Sequence, residues 1–279
     1  MEAFRHCEQL VRAADKDRYL ATLFAPADRR GPLYALYAFN LEIAGVRDRV
    51  REPMAGEIRL QWWRDVLNGE RSGEMTANPV AAALMETIAR CALPAQRLTD
   101  LIEARAFDLY DDPMPSFDAL DGYLRHVSAT IFDLAALICG GPAADAAERS
   151  GQAYGITALL RAFAWHASRR QLFVPLEALG GGVAPDDIFA GRTSPWLING
   201  LGVLRTRARE HLEAFEAQLA QLPAATMPAF LPVALVPGYL AVMEQAGYDP
   251  FRTLVEVPQW RRQWALWRAA RRYSRLMRG

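Results

Sequence analysis

The chain has 279 residues, of which 52% are apolar, enough for a sizeable core and too many for a disordered polypeptide. Basic and acidic residues balance at 32 each, so the zero net charge gives the molecule no overall attraction to nucleic acid or acidic lipid. Three cysteines without CxxC spacing (Cys7, Cys91, Cys139) and an opening Met1-Glu-Ala-Phe-Arg-His without an apolar signal run point to reduced thiols in a cytoplasmic protein.

No run of β-branched residues alternates over strand length, and apolar residues recur at helical spacing instead, which predicts one all-α domain over residues 1–279. Pro32 suits the first turn of a helix carrying Leu33, Leu36, Tyr37, Ile43, Val46 and Val50, stopped by Pro53. Helices are expected next over 56–67, 80–91 and 95–110, then from 117 to 139 with Ser116 as N-cap and a kink near Ser128. Gly140-Gly-Pro142 ends that helix, and one long helix is expected over 143–167. Gly180-Gly-Gly reads as a connection or as a loop over a pocket. A short helix over 186–191 follows, then helices over 194–222 and 229–245, the second kinked at Pro237, and a helical tail after Pro258. No stretch is read as reaching the ~20 uninterrupted apolar residues of a membrane span.

Two segments draw attention. The first is Tyr37-Ala-Phe-Asn-Leu-Glu-Ile-Ala-Gly-Val-Arg-Asp48. The second, Gly155-Ile-Thr-Ala-Leu-Leu-Arg-Ala-Phe-Ala-Trp-His166, runs on through Ala167-Ser-Arg-Arg170. Asn40 sits among apolar neighbours four residues before Ala44, and Tyr37, Ala44, Arg161 and Ala162 are further candidate pocket residues. Asn40 lines a pocket or serves structure, and both readings stay open. Glu42 reads as an ion-pairing surface residue, and Asp48 as a pocket residue or a partner of Arg47 or Arg51. His166 with Arg161, Arg169 and Arg170 forms either an anion site or a set of surface ion pairs. Asp108, Asp111 and Asp112 read as a solvated turn.

These segments, with Asp17-Arg-Tyr-Leu20, Leu36-Tyr-Ala-Phe39, Arg59-Leu-Gln-Trp-Trp-Arg64 and Phe117-Asp-Ala-Leu-Asp-Gly-Tyr123, resemble the squalene/phytoene synthase family. The resemblance implies an isoprenoid-synthase-like helical bundle around a central cavity, in which two aspartate-rich helices hold magnesium against prenyl diphosphates. Here the first acidic motif falls on Ala44, Gly45 and Asp48, and only Asp48 matches. The second falls on Ala158, Arg161, Ala162, Trp165 and His166, and only Arg161 matches. The Phe-Asn-x-Glu-x-Ala and His-x-Ser-Arg-Arg patterns resemble a divergent branch, that of the mitochondrial complex I assembly factor of squalene/phytoene synthase type.

That branch implies a non-catalytic role with no cofactor, partnered by complex I subunits or other assembly factors, with an isoprenoid or lipid ligand as a further option. The alternatives are a prenyl-diphosphate condensing transferase, for which magnesium would be needed, and an isoprenoid carrier. No nucleic-acid partner is expected. Residues 259–279 contain seven arginines, three tryptophans and no acid. They read either as a peripheral contact with the inner face of the membrane or as a helix that buries its tryptophans and exposes arginine.

Overall fold

In a computed structural model, which describes residues 2–277 apart from 72 and 74–76, no strand forms among the described residues. The first half comprises α1 (Glu2–Ala14), α2 (Lys16–Thr22), α3 (Ala27–Ala44), α4 (Pro53–Leu67), α5 (Pro79–Cys91) and α6 (Ala95–Arg105). α3 is buried nearly all round from Leu33 to Asn40, because α1 and α5 pack along it. Its start differs from the expected one. The helix begins at Ala27, so Pro32 lies inside it and leaves the Asp28 carbonyl without its usual donor four residues on. Arg90 of α5 supplies the missing bond, Nη2 donating to Asp28 O at 3.0 Å. A long-range contact thus allows a proline that local rules assign to a helix start.

The second half comprises α7 (Phe117–Leu124), α8 (Thr130–Cys139), α9 (Ala144–Arg161), α10 (Phe163–Ser168), α11 (Leu176–Leu179), α12 (Pro185–Phe189), α13 (Pro195–Gln218), α14 (Met227–Phe230), α15 (Val236–Met243) and α16 (Gln259–Leu276). Ser116 caps α7 by accepting from Ala119 N–H at 3.2 Å, and Ser194 caps α13 in the same way through Leu197. The expected kink near Ser128 is a π-turn over Arg125–Ala129. α9 presses against this turn and against α8 and α13. Ser128 Oγ donates to Gly151 O at 2.8 Å, so the bulged turn and α9 are joined by a buried hydrogen bond.

Three expectations need correction. The helix over 143–167 is broken at Ala162 (φ −92°, ψ 7°), separating α9 from α10. Neither glycine nor proline marks the break. Pro237 occupies the first turn of α15 and does not kink a longer helix, while α14 and a 3₁₀ turn over Leu231–Leu235 precede it. Finally, Ala224–Met243 is long and apolar enough to cross a membrane by composition alone, with a mean hydropathy of 1.6. It is instead core, 67% buried in the fold and interrupted by Pro228, Pro232 and Pro237.

α16 lies over the Leu231–Leu235 turn and α2. It buries Leu266, Ala269, Ala270 and Tyr273, and leaves Trp260, Trp264 and Trp267 outside. The reading in which the tryptophans pack into the core is therefore wrong. Gly182 lies directly beneath the Trp196 ring of α13, so the glycine run is a connection fitted around an indole. All three cysteines are free, and burial pushes the Cys7 and Cys139 thiols up to about 12, where they stay protonated.

Candidate functional site

Both singled-out segments end their helices at the positions of interest. α3 stops at Ala44, Gly45 caps it, and a 3₁₀ turn over Arg47–Arg49 carries Asp48. α9 stops at Arg161, and α10 restarts the helix one residue later, carrying Trp165 and His166. Ala44, Gly45, Ala158, Arg161, Ala162 and His166 are all partly accessible, whereas the residues behind them are buried. Tyr37 and Asn40 lie deeper on α3, 2% and 6% exposed. Asn40 Oδ1 is buried and has no hydrogen-bond partner among the described protein groups.

Asp48 pairs with neither Arg47 nor Arg51. Its Oδ1 accepts from Arg169 Nη1 at 2.7 Å, while Arg47 reaches Asp111 at 2.9 Å. The Asp48–Arg169 pair spans the two segments, and the Arg169 guanidinium also stacks over the exposed Trp165 ring at 4.4 Å. Glu42 is an ion-pairing residue as expected, its partner being Arg49.

α10 ends in a Schellman arrangement. Gln171 N–H donates to His166 O at 2.9 Å and Arg170 N–H to Ala167 O at 3.1 Å. Arg170 takes the left-handed position (φ 60°) that glycine or asparagine usually fills. Its side chain turns away to Asp186 at 2.9 Å, over the Phe189 ring. The expected anion cluster does not assemble as a free cradle, since Arg161, Arg169 and Arg170 each engage a different carboxylate: Asp17, Asp48 and Asp186. The sharp reversal of the chain at Arg170 drives consecutive arginines apart.

Sequence reasoning missed the hub of the site. Asp17 on α2, 4% exposed, is approached from three elements. Its Oδ2 accepts from Tyr239 Oη of α15 at 2.6 Å and from Arg161 Nη1 of α9 at 3.3 Å, and its Oδ1 lies 3.3 Å from Arg262 Nη1 of α16. The Arg161 guanidinium sits 3.6 Å from the centre of the Tyr239 ring, and burial raises the pKa of that hydroxyl, so it stays a donor. Next in the chain, the buried Arg18 lies between the Tyr37 and Tyr154 rings (5.4 and 5.1 Å) and pairs with Asp15. No local spacing announces this set, because its members come from five helices. The only hint was an Asp-Arg dipeptide at the head of an apolar stretch.

Asp108 is likewise not solvated. It accepts from Tyr123 Oη at 2.7 Å and Arg105 Nη1 at 2.9 Å, and its carbonyl takes a bond from Gln171 Nε2. Only Asp111 and Asp112 of that acidic run are exposed.

His166 packs edge-on against Phe173, ring centres 4.8 Å apart. Burial, assisted by the Arg105 charge, pushes its pKa down from 6.5 to about 4. As pH falls from 6.5 to 4 the unfolded chain takes up a proton that the folded imidazole refuses, so stability is lost across this window. His166→Gln is expected to remove up to about 3 kcal/mol of that acid destabilisation. A profile of unfolding temperature against pH that is no flatter in the variant would show that the imidazole titrates normally.

The squalene/phytoene synthase family model matches residues 11–268. The chain belongs to the squalene/phytoene synthase family. Within this family it is 29% identical over 251 residues to the NADH dehydrogenase (ubiquinone) complex I, assembly factor 6 of Bos taurus, covering 88% of this chain and 75% of that one. It is 26% identical over 278 residues to the 15-cis-phytoene synthase of Synechococcus elongatus, covering 94% and 90%. Its fold matches that of a dehydrosqualene synthase crystallised with ligand, at a TM-score of 0.85, 18% identity and coverage of 97% and 96%. This squalene/phytoene synthase-family chain therefore has the isoprenoid-synthase type of helical bundle that the resemblance implied.

Proposed function

We propose that this member of the squalene/phytoene synthase family does not condense prenyl diphosphates and instead aids assembly of the respiratory NADH:quinone oxidoreductase, complex I. The observation that carries the reading is the Asp48–Arg169 pair at 2.7 Å. The positions that the family resemblance assigns to magnesium ligands hold Ala44, Gly45, Ala158, Ala162, Trp165 and His166, and the one matching carboxylate already neutralises a guanidinium. Magnesium needs several hard oxygen donors in near-octahedral array, and neutral imidazole is a poor substitute. This donor set does not fit a magnesium–diphosphate cluster. A fixed cation, Arg169, bridges the two segments in its stead. Likeness to the Bos taurus assembly factor over most of both chains supports the partner class: complex I subunits or other assembly factors. The protein would work in the cytoplasm, at the inner face of the membrane.

A second reading rests on the likeness to the Synechococcus elongatus phytoene synthase and on the unpartnered Asn40 amide oxygen. Under it the bundle holds an isoprenoid or other lipid, with magnesium required only if condensation occurs. Purified protein incubated with farnesyl or geranylgeranyl diphosphate and magnesium is expected to yield no hydrocarbon, while affinity capture from cell extract recovers complex I subunits. Turnover that disappears in Asp48→Ala would overturn the proposal. Capture of no complex I subunit, with a lipid co-purifying, would favour the carrier.

A further inference from the structure

Among the described residues nothing covers the outer face of α16, although it carries the chemistry of an interface. The helix turns its small and apolar side inward through Leu266, Ala269, Ala270 and Tyr273. At 100° per residue, Trp260, Trp264 and Trp267 fall within one sector on the opposite side, and they are 64%, 55% and 40% exposed. Trp264 and Trp267 stack on each other, ring centres 5.1 Å apart. They border an open groove of about 690 Å³ whose floor includes Leu212, Ala234 and Pro237. Scattered exposed apolar side chains are ordinary, but three indoles in register, two of them beside the groove, form a patch that water does not favour.

The charge on the same face selects the occupant. Arg271 lies over the Trp267 ring at 4.2 Å and Arg261 over the Trp260 ring at 5.1 Å. Arg268 and Arg275 project from the adjoining sector and are exposed. Of the described tail arginines, Arg262 is committed to Asp17 and Arg272 to Glu216; Arg261, Arg268, Arg271 and Arg275 have no carboxylate at ion-pair distance among the described residues. The helix carries no acid of its own, and among the described residues of the groove wall the one carboxylate is Glu216, already taken by Arg272. A row of indoles flanked by uncompensated guanidinium groups matches the bilayer interface, where amphipathic rings sit at headgroup depth and basic side chains meet lipid phosphates.

We propose that this face docks α16, lying flat, on an anionic phospholipid bilayer, with the three indoles at headgroup depth and the four free arginines on the phosphates. The inference does not depend on the assembly role, because vesicle binding reads the tail face alone. The test is flotation of the full chain with phosphatidylcholine vesicles, with and without phosphatidylglycerol, at low and high salt. The expected result is binding that requires the anionic lipid and weakens with salt. The triple change Trp260→Ser, Trp264→Ser and Trp267→Ser should lower partitioning by about tenfold or more. Charge reversal by Arg268→Glu, Arg271→Glu and Arg275→Glu should abolish the preference for phosphatidylglycerol. All six side chains are exposed, so circular dichroism and thermal unfolding should remain those of the parent and identify any variant that merely misfolds. A parent protein that does not float with anionic vesicles would overturn the inference, as would variants that bind like the parent. So would cross-linking of this face to an acidic protein in the absence of vesicle binding.

Discussion

Asp17→Asn should be the most damaging single change in the molecule that preserves side-chain shape. The carboxylate is 4% exposed and balances Arg161 from α9 and Arg262 from α16, whose side chains are only 28% and 12% exposed. An asparagine can still accept from Tyr239, but it leaves two guanidinium groups facing each other across a neutral amide. Breaking one side of a buried ion pair typically costs about 3–5 kcal/mol, far more than the pair contributes against an apolar isostere. For a domain of this size that loss should lower the unfolding temperature by roughly 10 °C. Thermal melts followed by circular dichroism would measure it. Adding Arg262→Gln should restore part of the loss, because one of the stranded charges is then gone. If the single variant stays within about 1 kcal/mol of the parent, the cluster is solvated and does not lock the tail to the bundle.

Asp17 also marks where sequence reading stops working. Local signals were sufficient for most helices. Asn78 accepts from the Val80 and Ala81 N–H groups before Pro79 opens α5, and Ser116 and Ser194 each cap the helix that their position announces. Order and spacing of whole motifs were sufficient for the family and its bundle. Where a distant group supplied the missing bond, local rules misled. Pro32 was read as a helix start because its lost N–H costs nothing there, yet Arg90 satisfies the orphaned carbonyl from another helix. The break at Ala162 carries no glycine or proline signature, so a continuous helix was the only local reading.

The candidate site was legible only as two segments, which the Asp48–Arg169 pair joins; the Asp17 set and the pairings were not legible. Tyr37, Asn40 and Ala44 lie on α3, Asp48 on the turn after it and Arg161 at the end of α9. The partners Asp17, Asp186 and Arg169 come from 144, 16 and 121 residues away from the groups they bind, and no pattern in one sequence encodes such pairings. The tail was ambiguous for a different reason. Tryptophan is the residue most able to lie on either side of an interface, so a three-and-four spacing fixes a stripe without fixing which way it faces.

The second large effect should come from the place where α9 meets the backbone of the π-turn. A Cβ on Gly151 would fall 2.3 Å from Ala129 Cα and 2.5 Å from Ala129 N, so backbone would have to move. Four residues on, a Cβ on Gly155 would fall 2.7 Å from Leu124 Cδ2, where a flexible side chain has more room to yield. Glycine-to-alanine in a helix normally gains about 0.5–1 kcal/mol through the unfolded state. Overpacking against backbone costs about 1–3 kcal/mol or more, and here it should dominate. Gly151→Ala is therefore expected to destabilise the protein by about 2 kcal/mol net. Gly122→Ala on α7, where a Cβ meets nothing within 4 Å, should stabilise it by about 0.5–1 kcal/mol. Denaturant unfolding of the two variants separates steric contact from propensity, because propensity alone gives both the same sign. Arg161 closes the helix that Gly151 seats against the π-turn, so the displaced variant should also loosen the Arg161–Asp17 pair. Asp17→Asn should then cost less in the Gly151→Ala background than in the parent, a non-additivity that independent sites would not show.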